Sequence, residues 1–158
     1  YRASLDGGDA RKGRELFHQK VEFLCVRCHR VENEGTSVVG PDLTGFGSRR
    51  TREELLRAIV DPSAEIAAGF EFTTVVLTTG ETLSGPVHRE SATELVLGVS
   101  QDGAESERTL LKSAIRERSA SSSMPPLASL MTPSELRDLV AYLARQNTPS
   151  PAPSATRL

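Results

Sequence analysis

The sequence lacks tryptophan, holds only two tyrosines and five phenylalanines, and has two cysteines in 158 residues. Each scarcity excludes something. Aromatic side chains ordinarily supply much of the bulk of a core. A chain of this length is expected to bury roughly 68–70% of its unfolded surface, so bulk must come from elsewhere. Two cysteines three apart cannot build the framework of a disulfide-stapled miniature. No apolar run approaches the ~18–20 residues of a membrane span, and the opening residues, YRASLDGGDARKG, contain no apolar signal core. Neither charge dominates: 19 Lys and Arg against 21 Asp and Glu leave a net charge of −2. The basic residues are scattered rather than striped, which gives no reason to expect nucleic acid as a partner.

What is present falls into three parts and a tail. Residues 1–69 read as helix, loop, helix. Asp9 is the expected N-cap of the first, with Gly13, Leu16 and Phe17 on one face. Thr51 and Glu54 have capping-box spacing ahead of Leu55, Leu56, Ile59 and Val60, and Asp61-Pro62 ends that helix. Residues 70–118 change period. Short strands are expected from Phe70 to Leu77, through Leu83 and Val87, from Glu94 to Val99 and around Arg108 to Leu111. A turn is expected at Gln101-Asp102-Gly103 and a short fifth strand through Ile115. Their spacing suggests a meander or a small barrel-like sheet, and five basic against eight acidic residues make this part acidic. Residues 119–147 return to helix: a small-residue loop over Ser119–Ser123, then Thr132-Pro133-Ser134-Glu135 as a strong helix start. The Pro- and Ser-rich residues 148–158 read as a disordered tail or linker. That tail and the start without Met lead to the expectation of a module cut from a longer chain.

Cys25-Val26-Arg27-Cys28-His29 is the motif that carries chemistry. C-x-x-C-H is the attachment signature of c-type haem. Two thiols three apart reach the two vinyl groups on one edge of a porphyrin, and the following His lies under the iron as axial ligand. With this composition a shuffled chain shows the motif roughly twice in ten thousand trials. A thioredoxin-like C-x-x-C would follow a buried strand in a βαβ setting, whereas the flanks here read as helix and loop. A zinc site needs four ligands, and only His18 and His88 remain beyond the cluster. Structural cysteines without a cofactor are the third alternative.

Haem iron in an electron carrier takes a second axial ligand, and Met/His ligation raises the potential and leaves no open site. Met131 precedes the N-cap Thr132, where its simplest role is a hydrophobic staple against Leu136. Met124 has no helical explanation. Two following prolines hold it in stiff backbone, so it is the expected ligand, with His18 and His88 as fallbacks.

The chain resembles the class I cytochrome c domain, and more narrowly the haem-binding domain type of Planctomycetes and Verrucomicrobia proteins. The matching residues are Gly13-x-x-x-Phe17, Cys25-Val26-Arg27-Cys28-His29, Gly40-Pro41-Asp42-Leu43-Thr44-Gly45, Asp61-Pro62-Ser63, Ser123-Met124-Pro125 and Tyr142-Leu143. The resemblance implies a mainly α, cytochrome c-like helical fold around one covalently attached haem c. It forms a single domain over residues 1–147, with residues 70–118 as a small antiparallel β insert. It implies that the first and last helices cross, Gly13 and Phe17 against Tyr142 and Leu143. It also implies that the Pro41 carbonyl accepts the His29 Nδ1 hydrogen, fixing the tautomer.

The expected function is single-haem electron transfer between a redox donor and an acceptor, with His29 and Met124 on the iron. Phe17, Val39, Leu43, Phe46, Leu127 and Leu139 are the expected apolar shell, and Arg49 and Arg50 are candidates for the haem propionates. No substrate is transformed by such a carrier, although it can be the electron outlet of a larger oxidoreductase. The alternative is an open-site haem protein, a peroxidase or gas sensor, in which Met124 is not a ligand. Haem attachment implies a periplasmic or otherwise extracytoplasmic location. The β insert is either decoration or a docking or homodimer surface.

Overall fold

The computed structural model describes residues 2–101 and 104–147. The tail expected over residues 148–158, and Asp102-Gly103 of an expected turn, lie outside the described residues. The chain divides into two compact units. One comprises the residues up to Pro62 and those from Pro126 on, and the other is Ser63–Pro125.

The helical unit is built from α1 (Ala10–Gln19), α2 (Cys25–Cys28), α3 (Arg52–Val60) and α4 (Pro133–Leu143), with a minimal hairpin of β1 (Arg30–Val31) and β2 (Glu34–Gly35). The helix starts follow the sequence. The Asp9 side chain accepts from Arg11 N and Lys12 N, and full capping boxes join Thr51 to Glu54 and Thr132 to Glu135. Apolar positions spaced three and four apart on α1, α3 and α4 meet in one core, where Phe17, Leu55, Leu136, Leu139 and Val140 are almost wholly buried. The first and last helices cross where expected. A Cβ on Gly13 would lie 2.0 Å from the Asp138 carbonyl oxygen, so only glycine permits this approach. Phe17 and Tyr142 meet with ring centroids 5.7 Å apart. Met131 is partly buried against the cluster that holds Leu136.

The strand unit contains β3 (Glu71–Leu77), β4 (Thr82–Glu90), β5 (Glu94–Gln101), β6 (Ala104–Leu111) and β7 (Ile115–Ser122), all antiparallel in the order β6-β5-β4-β3-β7. Three residues, Lys112–Ala114, join strands at opposite edges of this sheet. In a flat sheet those edges would lie about 19 Å apart at ~4.8 Å per strand. The link reaches at most about 14 Å, so the sheet is coiled into a partial barrel. The bend is taken up where register shifts, between Val87 and Arg89 of β4 and at Val76/Leu77 of β3. Val75, Leu77, Leu95, Leu97, Val99 and Leu110 fill the interior.

Two expectations change. Helix and strand take about equal shares of the described residues, so a mainly α chain is not confirmed. Ser119–Ser122, expected as loop, belong to the eight-residue β7, which pairs with β3 from Leu77↔Ile115 to Glu71↔Ser122. Most of its side chains are exposed, so its place is set by backbone pairing rather than by any apolar alternation.

Candidate cofactor-attachment site

Cys25 and Cys28 sit on the single turn of α2, three apart and therefore on one face. Leu24, which starts the turn, is held in the left-handed region at φ 49°, an uncommon conformation for a non-glycine residue. The turn closes through His29 N, which donates to Cys25 O at 2.8 Å, and His29 then leaves in extended backbone. Burial pushes the Cys25 thiol up to about 11, so it is a neutral thiol at physiological pH.

The His29 ring is fixed from behind. Its Nδ1–H donates to the Pro41 carbonyl at 3.0 Å, which leaves Nε2 as the ring nitrogen with a free lone pair. Burial pulls the imidazole pKa down, against the opposing pull of the Pro41 hydrogen bond, and so favours the neutral ring that a metal requires. Gly40 forms the floor: a Cβ there would lie 2.6 Å from His29 Cε1. The loop that carries Gly40 and Pro41 is laced to the chain that follows the cysteines. Gly40 N donates to Cys28 O at 3.0 Å and Leu43 N to Arg30 O at 2.8 Å. Arg30 places Nε and Nη2 on Asp42 Oδ2 at 3.0 and 2.6 Å, and Glu32 N donates to Thr44 Oγ1 at 2.6 Å.

Around this turn several large apolar side chains remain in solvent. Leu24, Val38 and Val39 are each more than a third exposed, and Val38 reaches 86%. Such exposure of bulky aliphatic groups beside an attachment turn fits a flat apolar group bound there. Of the expected shell, Phe17, Leu127 and Leu139 are buried, Leu43 and Phe46 pack against the core, and Val39 is exposed.

The structure thus brings Cys25, Cys28, His29 and Pro41 together. Met124 belongs to the strand unit, where its backbone N donates to Ser122 Oγ at 3.1 Å. The fallback histidines are engaged elsewhere. His18 bonds Tyr142 and Glu34, and His88 Nδ1 meets Glu107 Oε1 at 2.9 Å. Arg49 donates to the carbonyls of Thr44 and Gly45, and Arg50 lies 3.5 Å from Glu54. Among the described residues no three His, Cys, Asp or Glu side chains gather as a metal site, and no helix is long and apolar enough to cross a membrane. The Arg30–Asp42 fork and the Glu34 contacts to α1 carry no sequence signal, because their partners are 12 to 20 residues apart without a period.

Residues 10–80, a little under half of the chain, match the family model for cytochrome c. A curated cytochrome c from Gibberella zeae (strain ATCC MYA-4620 / CBS 123657 / FGSC 9075 / NRRL 31084 / PH-1) is 42% identical over 47 residues. That alignment covers 30% of this chain and 41% of the fungal protein, so the chain spans about two fifths of its relative's length. Proteins of the cytochrome c family bind covalently attached haem c.

Proposed function

We propose, from the premise that residues 10–80 carry a cytochrome c family domain, that this chain is a single-haem electron-transfer module working between a redox donor and an acceptor. When bound, the haem supplies one-electron chemistry between the ferrous and ferric states of its iron. The chain's residues do the rest. Cys25 and Cys28 tether the ring as thioethers, His29 presents Nε2 to the iron, and Pro41 and Gly40 hold that imidazole in one tautomer and one orientation. Met124 would hold the iron together with His29, and an iron held by both residues would make the module a carrier rather than an enzyme. The strand unit supports the narrower class of haem-binding domains with a β insert, and haem attachment supports an extracytoplasmic location. The observation that carries the reading is the His29 Nδ1 to Pro41 hydrogen bond at 3.0 Å behind the C-x-x-C-H turn.

Visible absorption of the isolated protein tests it. A low-spin spectrum with the weak red ferric band of Met–iron ligation is expected, and Met124→Ala should abolish that band and lower the potential. High-spin bands in the reduced parent, or a Met124→Ala protein with unchanged spectrum and potential, would overturn the assignment and favour the open-site alternative.

A further inference from the structure

A four-residue helix cannot hold itself in place, because its terminal carbonyls have no intrahelical donors. Thr36, the residue just after β2, supplies two of them. Thr36 N donates to Val26 O at 3.2 Å, and Thr36 Oγ1 donates to Arg27 O at 2.7 Å. Gly35 lies so close to the histidine that a Cβ there would be 2.2 Å from the His29 carbonyl oxygen. Whatever holds Gly35 and Thr36 in register therefore also holds the turn bearing Cys25, Cys28 and His29. The β1–β2 hairpin has two residues per strand, too short a ladder to be stable alone.

Glu34 provides the anchorage. Both of its carboxylate oxygens face α1: Arg14 Nη2 donates to Oε1 at 2.6 Å, and Oε2 lies 2.8 Å from His18 Nδ1, a pair that is ionic when the imidazole is protonated. The two arms differ in weight. Arg14 and Glu34 are about half exposed, where an ion pair contributes little. The His18 side chain is only 8% exposed, so its contact with Glu34 is the one better shielded from water. His18 Nε2 is hydrogen-bonded to the Tyr142 hydroxyl at 2.9 Å. The last helix thus orients His18 beside Glu34. Arg14, Glu32, Glu34 and Tyr142 are the ionisable groups that face this imidazole.

We propose that Glu34 is a positioning residue for His29: clamped by His18 and Arg14, it seats the hairpin that closes the Cys25–Cys28 turn and fixes the His29 backbone. The inference builds on the proposed role of His29, while the clamp itself is measurable without it. Glu34→Ala and Glu34→Gln are compared with the parent in the whole chain as isolated. Amide exchange at His29 and Thr36 is followed against Phe17 and Val140 of the α1–α4 crossing, together with the midpoint potential and the attached-haem content. Glu34→Ala is expected to cut protection at His29 and Thr36 about tenfold, to shift the His29 ring signals and to move the potential, with Phe17 and Val140 unchanged. Glu34→Gln, which keeps one acceptor oxygen for Arg14, should recover most of the protection. Adding His18→Gln to Glu34→Ala should cause no further loss at Thr36. Unchanged protection at Thr36 in Glu34→Ala, or a loss spread evenly over the crossing, overturns the proposal. A chain isolated without haem would instead refute the functional reading, while exchange at His29 and Thr36 would still decide the clamp.

Discussion

A methyl group added at position 40 would lie 2.6 Å from His29 Cε1 and 2.9 Å from Nδ1, well inside the ≈ 3.5–4.0 Å at which carbon atoms rest. One of the two must give way. Gly40→Ala is expected to push the imidazole off the Pro41 carbonyl and to lower the fraction of chains carrying haem, measured by the pyridine haemochrome spectrum together with the His29 ring resonances. Parental haem content with unmoved resonances would show that the floor under His29 has slack. At this scale the sequence was unevenly legible. The C-x-x-C-H residues could be read because their chemistry depends on spacing within five positions, and Pro41 because a resemblance supplied its partner. Glu34 and the Arg30–Asp42 fork could not, since an isolated charge says nothing of what the chain folds against it.

Among the elements, the helices declare their ends locally. Capping boxes at Thr51 and Thr132 work within four residues, so pattern and structure agree. The strands depend on partners far along the chain, and β7 shows the cost: residues that read as loop are held by pairing with β3 some 45 positions away. The same closure creates a charge cluster. Glu90 at the end of β4 takes a fork from Arg118 of β7, at 2.9 and 3.1 Å, and Lys112 Nζ from the link at 2.7 Å. The hydrogen bonds from Arg118 and then Lys112 pull the Glu90 carboxyl from 4.5 down to about 2. Because the folded value lies below the unfolded one, its contribution is fully present above about pH 4.5 and is lost as pH falls toward 2. The cluster is solvent-exposed, so the contribution is at most about 1 kcal/mol and falls with salt. Denaturant unfolding of the strand unit should therefore show the parent more stable than Glu90→Gln at pH 7, with the gap narrowing toward pH 2 and in high salt. A gap independent of pH would assign the effect to packing instead.

For the whole molecule, the two units carry separate apolar clusters, one around Phe17 and Leu136 and one around Val75 and Leu97. The helical cluster is the one beside exposed Leu24, Val38 and Val39, so it is the one that a haem would complete. Removal of haem is expected to abolish the cooperative calorimetric transition of the helical unit and to leave a separate transition for the strand unit. Well-dispersed NMR signals from α1 and α4 in a stable haem-free chain would contradict this. The scarcity of aromatic residues is consistent with such a missing bulk. The sequence by itself determined what is local or periodic: the attachment motif, the helix starts, the apolar faces and the Gly13–Tyr142 crossing implied by resemblance. Tertiary structure alone decided the coiling of the sheet, the length of β7, the balance of helix and strand, and the Glu34 clamp. These depend on contacts between residues distant in the chain, which leave no trace in the spacing of either partner because each is set by backbone pairing or by a single charge meeting its opposite in space.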